Sequence, residues 1–215
     1  MSAVVFAGPS LPAASRIGDE EIVFAPPIKR GDIDLFAGFD PLIIVDGEFG
    51  QNLSVSPKEI LGAIRGGRRV IGASSMGALR ASELDSFGMV GVGWIYRLFA
   101  SAVVRCDDDV ALTFSPFDFT PFTVPLVNVL YSVESAVADG KLSAEEQKEI
   151  SQRAREIFYV ERDIESVANV FEGVIGIRRY RDLQDGWNAP VCDVKEMDAL
   201  SAIAVGRDML RDPNP

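Results

Sequence analysis

The sequence predicts an α/β fold, and three observations carry the prediction. Four short apolar runs, Val4-Val5-Phe6-Ala7, Glu21-Ile22-Val23-Phe24, Leu42-Ile43-Ile44-Val45 and Arg69-Val70-Ile71-Gly72, each end in turn residues. Continuous β-branched runs of this kind mark strands buried on both faces of a parallel sheet. Helix-length stretches separate them, as parallel neighbours require. Together these give an open parallel, flavodoxin/Rossmann-like sheet flanked by helices over residues 1–115. A mainly helical region over 116–215 is expected to pack on that core; 215 residues suffice for one sizeable core with an appended lobe.

Helices are placed by their caps. Ser56-Pro57-Lys58-Glu59 combines an N-cap serine, proline at the first helical position and a capping-box glutamate, and Gly66-Gly67 supplies the stop. After the fourth strand, Met76 to Leu84 has apolar residues at helical spacing, so a helix starting near Ser75 follows almost at once. Trp94 to Val104 reads as helix, Asp107-Asp108-Asp109 as a solvated turn, Val110 to Phe114 as one more strand, and Ser115 to Pro125 as a connection. The Phe114, Phe117, Phe119 and Phe122 cluster within it suits a core or an interface. Helices then span Leu126 to Asp139, Ser143 to about Phe158 from a second capping box, and Ile164 to Phe171. A loop through Trp187 and Pro190 precedes a last helix opened by Asp193-Val194-Lys195-Glu196.

Composition limits the chemistry. The chain has no histidine, which excludes Ser-His-Asp and Cys-His activation, histidine zinc sites and an imidazole shuttle. Residues 1–105 carry 10 basic and 11 acidic residues, and 106–215 carry 11 and 21. The acidic second half argues against nucleic-acid binding and for a solvated face or a basic partner. Cys106 and Cys192 read as buried free thiols. No basic stretch precedes the apolar start, and no apolar run approaches the ~20 residues of a membrane span, so a cytoplasmic protein is expected. No metal or cofactor is implied, and homo-oligomer formation stays open.

In an open parallel sheet, ligands bind outside the carboxyl ends of the strands. Strand one ends in Gly8-Pro9-Ser10, strand three in Asp46-Gly47-Glu48, and strand four in Ser74-Ser75-Met76-Gly77, with Arg80 and Glu83 on the helix that follows. Asp46 emerges directly from a buried run, where a carboxylate needs partners or a task, and Glu48 stands two residues on. The competing structural reading makes Asp46 a turn cap and Glu48 a solvated side chain. Ser74-Ser75 lacks the Gly-x-Ser-x-Gly spacing of a nucleophile elbow; either serine serves as N-cap or as binding or attacking group. Arg80 and Glu83, three apart, are a surface pair or a carboxylate clamp. Asn128, alone in an apolar run, is a satisfied core amide or a distant member of the site.

At these residues the sequence resembles the TfuA-like family. The motifs are Val5-Phe6-Ala7-Gly8-Pro9-Ser10-Leu11, Asp46-Gly47-Glu48-Phe49-Gly50-Gln51, Lys58-Glu59-Ile60-Leu61, Gly72 through Leu84, and Phe87-Gly88-Met89-Val90-Gly91 with the acidic triplet. The resemblance implies a partnership with a YcaO-type ATP-dependent enzyme that converts a peptide backbone amide to a thioamide. It also implies release of sulfide from the C-terminal thiocarboxylate of a ubiquitin-like sulfur-carrier protein. Such a sulfur leaving group departs without the general acid that an amine needs, which suits a chain without histidine. On this reading Asp46 or Glu48 orients the attacking water or Ser75, N–H groups at the start of the Ser75 helix hold the oxyanion, and Arg80 holds the carrier's anionic end. Gly8, Ser10, Gly47, Ser74, Met76, Gly77, Glu83 and Asn128 line the substrate. The alternatives are a non-catalytic docking partner of the YcaO-type enzyme and a small-anion-binding flavodoxin-like domain.

Overall fold

The computed structural model describes residues 2–18, 20–50, 53–101, 107–187 and 190–212. Cys106 and the 102–104 end of the helix expected from Trp94 lie outside them. The chain forms two compact units, Met1–Arg105 with Lys195–Pro215, and Cys106–Val194. The division expected at residue 115 thus gives way to a discontinuous one, in which the last helix belongs with the sheet.

The first unit holds strands β1 (Ala3–Phe6), β2 (Ile22–Ala25), β3 (Leu42–Ile44), β4 (Val70–Gly72) and β5 (Val90–Gly91), all parallel, in the order β2-β1-β3-β4-β5. This is the flavodoxin-like order, and its switch point lies between β1 and β3. The helices are α1 (Asp32–Leu35), α2 (Pro57–Arg65), α3 (Met76–Leu84), α4 (Trp94–Ala100) and α9 (Val194–Arg211), with a single 3-10 turn, Ala13–Ser15, in place of a helix between β1 and β2.

Strand residues alternate between two buried faces. Val4, Phe6, Leu42, Ile44 and Val70 pack with Ile60 and Ala63 of α2 and Ala81 and Leu84 of α3. Val5, Ile43 and Ile71 face the other way, onto Ala199, Ala202 and Ile203 of α9. Coverage on both sides explains why these strands read as unbroken apolar runs.

The capping box before α2 forms as expected: Ser56 Oγ accepts from the Glu59 N–H, and Glu59 Oε2 accepts from the Ser56 N–H at 2.8 Å. The fifth strand, by contrast, is Val90–Gly91 rather than Val110 to Phe114. Only two of its residues pair, at a sheet edge and beside glycines, so no apolar run announces it. Residues 110–114 are irregular apart from one antiparallel bridge, Phe114 to Pro121.

Helix α4 is capped from a distance. Asp198 of α9 accepts hydrogen bonds from the Trp94 and Ile95 N–H groups, both at 2.8 Å. Gly93, at φ 99°, sits against this carboxylate with no room for a Cβ. Burial raises the Asp198 carboxyl above its ordinary 3.8, opposed by the two backbone donors and by Arg97. A carboxyl raised in the folded state contributes stability that is full below its unfolded pKa and lost as pH rises through the folded one. The stability margin of the wild type over Asp198→Asn is therefore expected to be widest near about pH 4 and to narrow towards neutrality. Paired denaturant titrations across that range check it, and a margin that widens with pH would contradict it.

The second unit contains α5 (Leu126–Ala138), α6 (Ala144–Glu156), α7 (Ile164–Ile175) and α8 (Ile177–Trp187). Ser143 and Glu146 form the second capping box. Helix α8 replaces the expected loop: Gly176, at φ 80°, ends α7, and Tyr180 and Leu183 bury one face of an otherwise charged segment. Tyr180 stacks on Phe171 at 4.9 Å between ring centres. Asp109 is not a solvated residue but a buried one, paired with Arg155 at 2.9 Å. The phenylalanine cluster is not core: Phe117 is 95% and Phe122 60% exposed. Cys192 is a free, half-buried thiol whose pKa burial pushes up. Among the described residues, no helix is long and apolar enough to cross a membrane.

Candidate functional site

The strand register brings the expected residues together. Phe6, Ile44 and Gly72 are level across β1, β3 and β4, so Gly8, Asp46 and Ser74 stand level two residues beyond, where the strands end.

Asp46 is 3% exposed and spends both carboxylate oxygens on the loop after β1. Its Oδ2 accepts from the Gly8 N–H at 2.7 Å and the Ser10 N–H at 3.0 Å, and its Oδ1 accepts from Ser10 Oγ. These charge-assisted bonds cross the switch point and fix the β1 loop against β3. Arg16, which sequence reasoning missed, donates through Nε to the Leu11 carbonyl and through an Nη to the Gly8 carbonyl at 2.6 Å. Burial lowers its pKa from the ordinary value, and the Asp46 charge opposes this. The guanidinium stays cationic, placing a fixed positive charge beside the loop. Glu48 is exposed; its N–H donates to the Ile28 carbonyl at 2.9 Å. Gly47 packs against the Met76 side chain, which comes within 2.7 Å of where a Cβ would stand.

The turn from β4 into α3 is tight. Ser74 takes φ 66°, outside the range comfortable for a serine, at a strain of order 1–3 kcal/mol. Its side chain is fully buried, and the hydroxyl has no hydrogen-bond partner. The turn depends on Gly72 and Gly77, whose backbones touch each other and, for Gly77, the Ile44 carbonyl. Ser75 is the N-cap of α3 by position, but its side chain caps nothing. Of the first three helical N–H groups, Gly77 donates to the Val45 carbonyl and Ala78 to the Ala73 carbonyl, which leaves that of Met76.

Ser75 Oγ instead meets Lys195, in the first turn of α9, with Nζ at 3.5 Å. Lys195 is 2% exposed and Ser75 3%. The next residue, Glu196, accepts a hydrogen bond from Ser15 Oγ and ties the start of α9 to the connection after β1. Two helix starts, from α3 and α9, therefore meet at one edge of the sheet, and such starts favour negative charge. Nothing local marked Lys195 as part of this arrangement, since it lies 120 residues from Ser75.

Arg80 is occupied elsewhere: Nε donates to the Val55 carbonyl at 3.0 Å, and an Nη pairs with Glu83 at 2.8 Å. Asn128 lies in the other compact unit; Nδ2 donates to Asp193 at 3.2 Å, and Oδ1 is buried without a partner. Among the described residues, no three His, Cys, Asp or Glu side chains gather as a metal site would require.

A family model described as TfuA-like protein matches residues 46–163, more than half of the chain. The chain belongs to the TfuA-like family. The matched residues include Asp46, Ser74, Ser75 and the whole of α3, and run on into the helical unit. Lys195 and the Gly8 to Ser10 loop lie outside the TfuA-like match, so their place beside Ser75 and Asp46 is known from the structure alone. No curated protein matches the chain.

Proposed function

We propose that the protein releases sulfide from the C-terminal thiocarboxylate of a ubiquitin-like sulfur-carrier protein, for use by a YcaO-type ATP-dependent enzyme that forms thioamides in a peptide backbone. Family membership supports the pathway. The observation that supports hydrolysis is the turn at Ser74 and Ser75, where a hydroxyl, a buried amine and a helix start converge at the carboxyl edge of the sheet.

The overall reaction converts R–COS⁻ and water into R–COO⁻ and hydrogen sulfide. Attack on the thiocarboxylate carbon places negative charge on its oxygen, and the Met76 N–H and the α3 dipole stabilise that charge. The sulfur then departs as a stable anion, so a chain without histidine suffices. Asp46 holds the β1 loop as one wall of the site. Arg16, held beside that loop by the Gly8 and Leu11 carbonyls, adds a fixed positive charge that attracts the carrier's anionic terminus.

Purified protein mixed with thiocarboxylated carrier, without the YcaO-type enzyme, is expected to yield one sulfide and one carboxylate per carrier. A carrier that stays thiocarboxylated would refute the reading. It would favour a non-catalytic partner, which the exposed Phe117 and Phe122 of the helical unit also suit.

A further inference from the structure

We propose that the helical unit docks through its 113–122 loop, with Phe117 as the anchor, into an apolar pocket ringed by lysine and arginine on the enzyme that consumes the sulfide. The proposal deepens the reading above and rests on it for the identity of that enzyme.

The loop is built to present an aromatic side chain. Phe117 stands 95% exposed at its tip. Backbone bonds close the loop from base to tip: the Phe122 N–H donates to the Thr113 carbonyl at 2.8 Å, and the Ser115 N–H to the Thr120 carbonyl and the Phe119 N–H to the Ser115 carbonyl, both at 2.9 Å. Thr123 Oγ1 accepts from the Thr113 N–H at 2.8 Å, and the Phe114 and Phe119 rings pack at 5.8 Å between centres. Phe119 takes φ 62°, a conformation that costs energy in a bulky residue and must be held by its surroundings. An exposed aromatic on a loop held this firmly loses little freedom on binding, as an interface anchor requires.

The apolar surface continues beyond the tip. The Val124 N–H donates to the Arg162 carbonyl at 2.7 Å, which joins the end of the loop to the connection between α6 and α7. That connection exposes Phe158 and Val160, and Ile164 at the start of α7 is exposed as well. Apolar side chains of this size on two adjoining loops mark a binding surface, where single ones would not.

Charge selects the partner. Residues 106–140 contain Asp107, Asp108, Asp109, Asp118, Glu134 and Asp139, and neither lysine nor arginine. Glu161, Asp163 and Glu165 are exposed beside the second loop, whose one arginine, Arg162, is buried. At the tip, hydrogen bonds from the Ser115 side chain and the Thr120 N–H hold the Asp118 carboxyl below its ordinary pKa, so it stays an anion. An acidic rim around an apolar centre complements a cationic rim around an apolar pocket. The same rim repels anionic lipid and a second copy of itself. The consuming enzyme is the partner that gains from docking, because sulfide diffuses freely and reaches a tethered consumer at a higher effective concentration.

Calorimetric titration of the whole protein with the YcaO-type enzyme, at two salt concentrations, tests this. The wild type is expected to form a complex that weakens as salt rises. Phe117→Ser should weaken it by roughly 30-fold, and Glu161→Lys should weaken it and flatten the salt dependence. Phe122→Ser, also at an exposed side chain, covers the case in which Phe117→Ser does not fold. Wild-type affinity in whichever phenylalanine variants fold overturns the proposal, as does a wild type that forms no complex. A wild-type dimer that Phe117→Ser dissociates, or Phe117-dependent binding to phosphatidylcholine vesicles, assigns the loop another occupant and overturns it too. Sulfide release from the thiocarboxylated carrier, measured without the enzyme, keeps the two readings apart. Phe117→Ser should release sulfide at the wild-type rate; slower release would assign the loop to the carrier and overturn the proposal. A wild type that docks as expected but releases no sulfide overturns the hydrolase reading alone.

Discussion

Gly77→Ala is expected to be the most destabilising single substitution in the sheet unit. The Gly77 Cα faces the Ile44 carbonyl so closely that a methyl would overlap it, and the Gly77 carbonyl in turn leaves no room for a Cβ at Gly72. Both obstacles are backbone, and neither can rotate aside. Ordinary overpacking by one methyl costs about 1–3 kcal/mol because side chains give way. Here either α3 lifts from β3 and β4 or β3 moves, and a loss of about 4 kcal/mol or more follows. Denaturant unfolding measures this, with Gly62→Ala on exposed space in α2 as the control that should be neutral or slightly stabilising. Equal effects at the two positions would show that α3 can withdraw at little cost.

Asp46→Asn is expected to lose stability and activity together. The carboxylate accepts three hydrogen bonds from Gly8 and Ser10. An amide accepts through one oxygen only, so its NH2 group would confront a buried N–H or hydroxyl. At least one buried donor is left unpaired, at about 1–3 kcal/mol, besides the lost charge opposite Arg16. We expect about 3 kcal/mol of destabilisation and roughly a 10²-fold drop in sulfide release as the β1 loop drifts from Ser75. Unchanged stability in Asp46→Asn would contradict the role of these three bonds in holding the β1 loop.

Local chemistry made most of the sheet unit readable in advance. The boxes at Ser56 and Ser143 are complete within four residues, and each strand covered on both faces announced itself as an apolar run. The ends of β1, β3 and β4 followed, because a parallel sheet sets its carboxyl ends side by side. What escaped was either too short or too distant to have a local signature. Val90–Gly91 pairs through two residues, and α8 hides its buried Tyr180 and Leu183 among charges. Lys195 and Asp198 act on Ser75 and on the start of α4 across 103 to 120 residues of intervening chain. For Arg80 the spacing left a pair with Glu83 and a substrate clamp both open, and the structure forms the pair, with Nε on the Val55 carbonyl.

The return of α9 to the sheet sets an order of events during synthesis. A ribosome makes β1 to α4 first, then the whole helical unit, and only afterwards residues 195–211. Until those residues emerge, Val5, Ile43 and Ile71 have no α9 to cover them, α4 has no Asp198 cap, and Ser75 has no amine beside it. The nascent sheet therefore keeps one apolar face open until a single late helix covers it, and a chain stalled before residue 195 would be a client for chaperones.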